Sequence, residues 1–243
     1  MRVLVAAMVT AAFAAQASAI EKEAVSLSTA DGVSIRGYYV RGTAEKGPAV
    51  VLLHMLGGSK EDWDPIIEKY LAPQTGLSFL AIDLRGHGAS ASQGGKTIEW
   101  RDFSEKDYLA MVNDVDAAVK WLRGRRDVDG DRIGIVGASI GANLALNYAA
   151  GDPAIKCVAL LSPALNYKGV KTGQAMQKYG ARPVLICATA EDQPSGNDVE
   201  RLDGLAQGKK TTGYYDGNLH GTRMFGNYPI DALLSRFLNE SLK

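Results

Sequence analysis

The stretch Gly137-Ala138-Ser139-Ile140-Gly141 constrains the fold of this chain more than any other. Ahead of it, Ile133-Gly134-Ile135-Val136 is a short apolar, β-branched run of the kind that forms a buried strand. Behind it, an alanine- and leucine-rich run favours helix. A chain that passes from strand to helix in so few residues turns very sharply. Side chains two positions before and after the centre collide, and both of those positions here are glycine. The central serine is thrust out above the sheet at the first turn of the helix. Free N–H groups and the helix dipole favour negative charge at that point. A glycine-rich turn with an idle serine also arises by chance, but the strand before and the helix after favour a nucleophile.

Such a serine needs a base, an acid to orient that base, and two N–H donors for the oxyanion. The chain has only three histidines, His54, His87 and His220, and each follows a predicted strand. His220 lies in the glycine-flanked loop after the last strand, so it is the predicted base. The acid leaves a strand between serine and histidine in this order of residues. That strand ends in Glu191-Asp192, with Asp198 and Asp203 beyond. Asp192 is the predicted acid and Glu191 the next candidate. One oxyanion donor is the backbone N–H of Ile140. The second comes from the loop after the strand ending at His54, where Gly57-Gly58 permits close backbone approach. Leu56 is the first choice there and Met55 the second.

The remaining pattern is α/β. Alternating runs over 24–29 and 33–40 around Asp31-Gly32 predict a β-hairpin. Buried strands are predicted over 48–53, 77–82, 155–162, 183–190 and 210–215. Helices are predicted over 62–71, 104–123, 173–179, 197–206 and 229–242. Pro73 lies beyond the first helix. Ser104 is the predicted N-cap of the longest, with Leu109, Val112, Val115, Val119 and Leu122 on one apolar face. Alternation of strands and helices implies a mostly parallel sheet with helices on both faces, entered through an antiparallel hairpin. Reactive groups gather at the carboxyl ends of such strands. Residues 162–182 leave room for a short helix and no large cap domain, so an open pocket is expected, covered in part by the loop 89–103. No linker divides 20–243, which reads as one domain.

Met1-Arg2, the apolar run 4–15 and Ala17-Ser18-Ala19 read as a signal peptide over 1–19. The apolar part is shorter than the roughly 20 residues that span a bilayer. The mature chain is therefore expected to be exported, periplasmic or secreted, with no membrane span. Basic and acidic residues balance at 27 each, against a dedicated nucleic-acid binder. Cys157 lies near the start of its strand and Cys187 near the end of another, which predicts two buried thiols rather than a disulfide. Asp127, Asp129 and Asp131 alternate around Gly130, but the downstream glutamate of a calcium loop is missing, so a plain turn is expected.

These motifs together resemble the α/β-hydrolase superfamily over essentially all of 20–243. His54-Met55-Leu56-Gly57-Gly58 resembles its His-Gly-X-Gly oxyanion loop, with Met55 in place of the first glycine. Asp83-Leu84-Arg85-Gly86-His87-Gly88-Ala89-Ser90 is similar to its Asp-X-Arg-Gly-His-Gly-X-Ser stretch, which implies that His87 is structural. Asp129-Gly130-Asp131-Arg132-Ile133 resembles the approach to the nucleophile strand in the dienelactone-hydrolase and prolyl-oligopeptidase-like branches. The resemblance implies an α/β-hydrolase fold and a lidless serine esterase acting on a small-molecule ester, with no metal or organic cofactor. A peptidase or amidase with the same residues, or a non-catalytic binding protein on the same fold, are the alternatives.

Overall fold

The computed structural model describes residues 20–243; the predicted leader over 1–19 lies outside the described residues. The strands are β1 (Glu23–Ser28), β2 (Val33–Val40), β3 (Gly47–Leu53), β4 (Ser78–Ile82), β5 (Ser92–Gln93), β6 (Lys96–Thr97), β7 (Val128–Ala138), β8 (Ile155–Leu161), β9 (Asn166–Tyr167), β10 (Val170–Lys171), β11 (Val184–Thr189) and β12 (Lys210–Tyr215). One sheet runs β12-β11-β8-β7-β3-β4-β2-β5-β6, with β1 on β2, and β9 and β10 form a separate hairpin. From β12 to β4 every neighbouring pair is parallel, and the β1–β2 hairpin joins antiparallel beside β4. The mostly parallel sheet with helices on both faces is as expected.

Period-two side chains divide the interior into two cores. Ala49, Val51 and Leu53 of β3 face one core, with Ile135 of β7 and Val158 and Leu160 of β8. Against them pack α2 (Val112–Arg123), α3 (Ile140–Gly151), α4 (Gly173–Tyr179) and α5 (Ser195–Leu205), which follow α1 (Glu105–Ala110) in the chain. Val50 and Leu52 face the other core, beneath α6 (Ile230–Ser241) and the helical stretch 60–75. Sequence neighbours on the central strands are buried on opposite faces, which is why these strands read as continuous apolar runs.

Besides setting residues 129–131, expected as a plain turn, inside β7, the structure departs from the sequence reading in three places. Helix 104–123 is two helices meeting at Met111. Ser104 caps the first as expected, its Oγ bonded to Asp107 at 2.6 Å. Leu109, however, is 47 % exposed; Tyr108 and Met111 take the buried stripe, with the Tyr108 hydroxyl donating to the Trp100 carbonyl. Leu109 instead lines a groove of about 690 Å³ with Leu165 and Ala150. Second, the first helix continues through Pro73 to Thr75, because a π-helical turn over Ile67–Leu71 widens the coil ahead of the proline. Third, the loop 89–103 contains the hairpin β5–β6 and the segment 162–182 contains the hairpin β9–β10, neither of which carries an alternating apolar pattern. The cysteines are free and buried, and burial pushes both thiols up to about 12. The β8–β11 register sets Cys187 opposite Leu161, well beyond Cys157.

Candidate active site

Ser139 stands between β7 and α3 with φ 57° and ψ −121°, and it is 5 % exposed. A non-glycine residue at positive φ is strained, and here the neighbours over-determine it. A Cβ at Gly137 would lie 2.2 Å from the Gly141 carbonyl oxygen; one at Gly141 would lie 2.6 and 2.7 Å from the carbonyl oxygens of Leu53 and His54. The two glycines therefore let the elbow close and let α3 sit against the end of β3. The Ser139 N–H donates to Leu161, and its carbonyl accepts from Ala142 and Asn143. Among the described residues the N–H groups of Ile140 and Gly141 have no backbone partner.

His220 follows β12, and Asp192 follows β11, its neighbour in the sheet. Nδ1 of His220 lies 2.8 Å from both carboxylate oxygens of Asp192. An ionised carboxylate only accepts, so Nδ1 carries the hydrogen and Nε2 presents a lone pair. The other acid candidates are engaged elsewhere or turned outward. Asp198 accepts from the Leu165 N–H at 2.8 Å, Asp203 holds Lys210 and Thr212, and Glu191 is exposed. A Cβ at Gly221 would lie 3.2 Å from the Ala138 Cβ, so the residue after His220 rests against the residue before Ser139.

The loop after β3 closes the other side. The Met55 carbonyl accepts from His54 Nδ1 at 2.7 Å and from the Gly58 N–H at 3.0 Å. In a trans peptide the following N–H points opposite to that carbonyl, so the Leu56 N–H is turned away from the His54 ring. The Met55 side chain borders Gly221, and Trp100 covers Gly57, so the loop 89–103 lands on this turn. His54 Nε2 accepts from the Leu84 N–H at 2.9 Å, and burial together with the nearby His87 lowers its pKa to about 4. His87 donates Nδ1 to the Arg85 carbonyl and stacks on Trp100 with centroids 5.3 Å apart. Asp83, fully buried, accepts from the Lys60 and Ala89 N–H groups and from Lys60 Nζ. Arg85 joins Asp31 to Asp114 of α2. His54 and His87 thus brace the loops.

Four positioning residues escaped the sequence reading. Ser162 Oγ accepts from the Gly221 N–H at 2.9 Å, and Thr189 Oγ1 donates to the Leu219 carbonyl at 3.0 Å, clamping His220 from both sides. Asn143 bonds the Ala164 N–H and the carbonyls of Ala164 and Val170, and Ser195 donates to the Ser162 carbonyl. Each lies at or just beyond the end of a strand or on a buried helix face, where local sequence gives no signal of a partner so distant in the chain.

Comparison with known proteins adds the following. A family described as alpha/beta hydrolase fold matches residues 48–199. The chain is 28 % identical over 181 residues to the acyltransferase drtE of Aspergillus calidoustus, covering 74 % of this chain and 54 % of that protein. It spans about half the length of the curated relatives it matches. The Pyrococcus furiosus esterase Pf2001 superposes with TM-score 0.73 at 18 % identity, covering 92 % of each chain. A dienelactone hydrolase from Anabaena variabilis superposes with TM-score 0.73 at 20 % identity, over 93 % of this chain and all of that one.

Proposed function

The chain belongs to the α/β-hydrolase fold family, and from that premise we propose that it is a serine hydrolase cleaving carboxylic esters through an acyl-enzyme. The observation that carries this reading is the His220–Asp192 contact beside a strained serine elbow, in the chain order serine, acid, histidine. Similarity to an acyltransferase, an esterase and a dienelactone hydrolase supports chemistry at an acyl carbonyl.

In this mechanism Ser139 Oγ attacks the ester carbonyl carbon while His220 Nε2 takes its proton. Asp192 holds the imidazole in the competent tautomer and stabilises the imidazolium. The oxyanion rests on the N–H of Ile140 and that of Leu56, which the inward turn of the Met55 carbonyl leaves facing outward; Met55 is the alternative donor. Each such donor is worth about 3 kcal/mol of transition-state stabilisation. His220 then protonates the leaving alcohol and activates water, which releases the acid and restores Ser139. The leader over 1–19 supports export of the mature chain to the periplasm or medium. Among the described residues no helix is long and apolar enough to cross a membrane.

The test is turnover of p-nitrophenyl acetate and butyrate by the wild type and Ser139→Ala. The expected result is a Ser139-dependent release of nitrophenol that falls about a thousandfold or more in the variant. Equal, slow release by both proteins would overturn the nucleophile assignment.

A further inference from the structure

The β8 side of Ser139 carries a hydroxyl that the mechanism above does not use. Tyr167, in the β9–β10 hairpin, places its hydroxyl 2.7 Å from Ser195 Oγ and 3.4 Å from the Ser162 carbonyl oxygen, and the Ser139 side chain acts on its ionisation. Its ring stands edge-on to the His220 imidazole, with centroids 6.3 Å apart and planes at 89°. The hairpin is held in place by Asn143, by Thr172, which donates to the Ala164 carbonyl, and by Asp198, which accepts from the Leu165 N–H.

The hydrogens in this cluster fix its polarity. Ser195 has one hydrogen, and it goes to the Ser162 carbonyl at 3.0 Å. The Tyr167 hydrogen then goes to Ser195 Oγ at 2.7 Å or to the Ser162 carbonyl oxygen at 3.4 Å, and in either case it is committed. Burial raises the phenol above its usual range, so it keeps that hydrogen. What Tyr167 offers to Ser139 and His220 is an oxygen lone pair. Sheet order sets where that lone pair lies. β7 runs between β3 and β8, so the oxyanion loop approaches Ser139 from one side and Tyr167 from the other.

An acyl-enzyme is cleared by water or by an alcohol, and either nucleophile gives one hydrogen to His220. Only water has a second hydrogen that needs an acceptor. We propose that Tyr167 is a positioning residue for the deacylating water, accepting the hydrogen that His220 does not take and so favouring hydrolysis over transfer to an alcohol. The inference rests on the acyl-enzyme reading above. In the step, the water oxygen bonds the acyl carbon, and one of its hydrogens passes to His220 Nε2. The carbonyl electron pair moves to the oxyanion. Collapse breaks the bond to Ser139 Oγ, which takes the proton back from His220, and the acid leaves with the second hydrogen. Tyr167 neither gains nor loses a proton.

Stopped-flow measurement on the full chain with p-nitrophenyl acetate separates acylation from deacylation, and added methanol reports the ratio of methyl acetate to acetate. In Tyr167→Phe, which keeps the ring, acylation should stay within about twofold while deacylation falls about five- to tenfold and the transfer ratio rises by the same factor. Ser195→Ala leaves the phenol hydrogen only the longer contact to the Ser162 carbonyl and should shift both readouts in the same direction by less. An unchanged deacylation rate and ratio in Tyr167→Phe would overturn the proposal. So would an equal fall in acylation and deacylation, which would mark a purely structural residue. A wild type with no Ser139-dependent burst would instead sink the serine-hydrolase reading, and this inference with it.

Discussion

Ser162 shows how one buried side chain can hold a histidine loop in place. Its φ is 50°, it is fully buried, and its Oγ takes the N–H of the residue after His220. Two effects can be separated there by substitution. Ser162→Ala keeps the backbone strain and orphans the Gly221 N–H, and should cost about 1–3 kcal/mol in urea unfolding. Ser162→Gly orphans the same N–H but removes the strain at positive φ, so it should be the more stable of the two. Both should lower kcat more than they raise KM, because the His220 loop loses one of its two clamps. Equal stability of the two variants would show that the backbone is not strained at this position.

The β9–β10 hairpin depends on a helix to hold its shape. Its strands are two residues each, too short to be stable alone, and Asn143 of α3 supplies bonds to Ala164 and Val170 at its base. Asn143→Ala removes three bonds to buried backbone groups, of which the Ala164 carbonyl keeps its bond from Thr172, and should destabilise the protein by about 2–4 kcal/mol. Amide hydrogen exchange over 164–171 should accelerate well before that of β7 or β8. Uniform exchange across hairpin and sheet would mean that the hairpin is held by packing instead. The split of 104–123 at Met111 belongs to the same scale. The apolar spacing announced a helix, but the docking of Tyr108 under the Trp100 carbonyl decided which face was buried.

At the scale of the whole molecule, the loops over the sheet are braced by His54 in its neutral form. His54 accepts from the Leu84 N–H and donates to the Met55 carbonyl, and its pKa falls from 6.5 to about 4. Burial lowers that of His87 as well. Between about pH 4 and 6.5 the unfolded chain binds protons that the folded chain refuses, so stability rises with pH across this window. It is fully present above about 6.5 and lost as pH falls toward 4, by about 3 kcal/mol for His54. Urea midpoints measured from pH 4 to 8 should show this slope, and His54→Gln should flatten it while lowering the plateau. An unchanged slope in that variant would place the proton uptake elsewhere.

Sequence alone determined what is local. Gly137 and Gly141 around Ser139 announce the elbow because the steric demand of that turn falls within five consecutive residues. The apolar runs mark buried strands, and the alternation of strand and helix marks a parallel sheet, because period and propensity are read over short windows. Sequence also named His220 and Asp192, since the ends of successive strands come together at one edge of such a sheet. Tertiary structure decided what depends on register between distant segments. It set Asp192, rather than Glu191, Asp198 or Asp203, against the imidazole, and turned Asp198 to the Leu165 N–H. It joined Ser162 to Gly221 and Tyr167 to Ser195, and it closed Trp100 over Gly57. A hydroxyl or an amide carries no local mark of its partner; that partner is chosen only when β7, β8, β11 and β12 line up and bring their ends to one place.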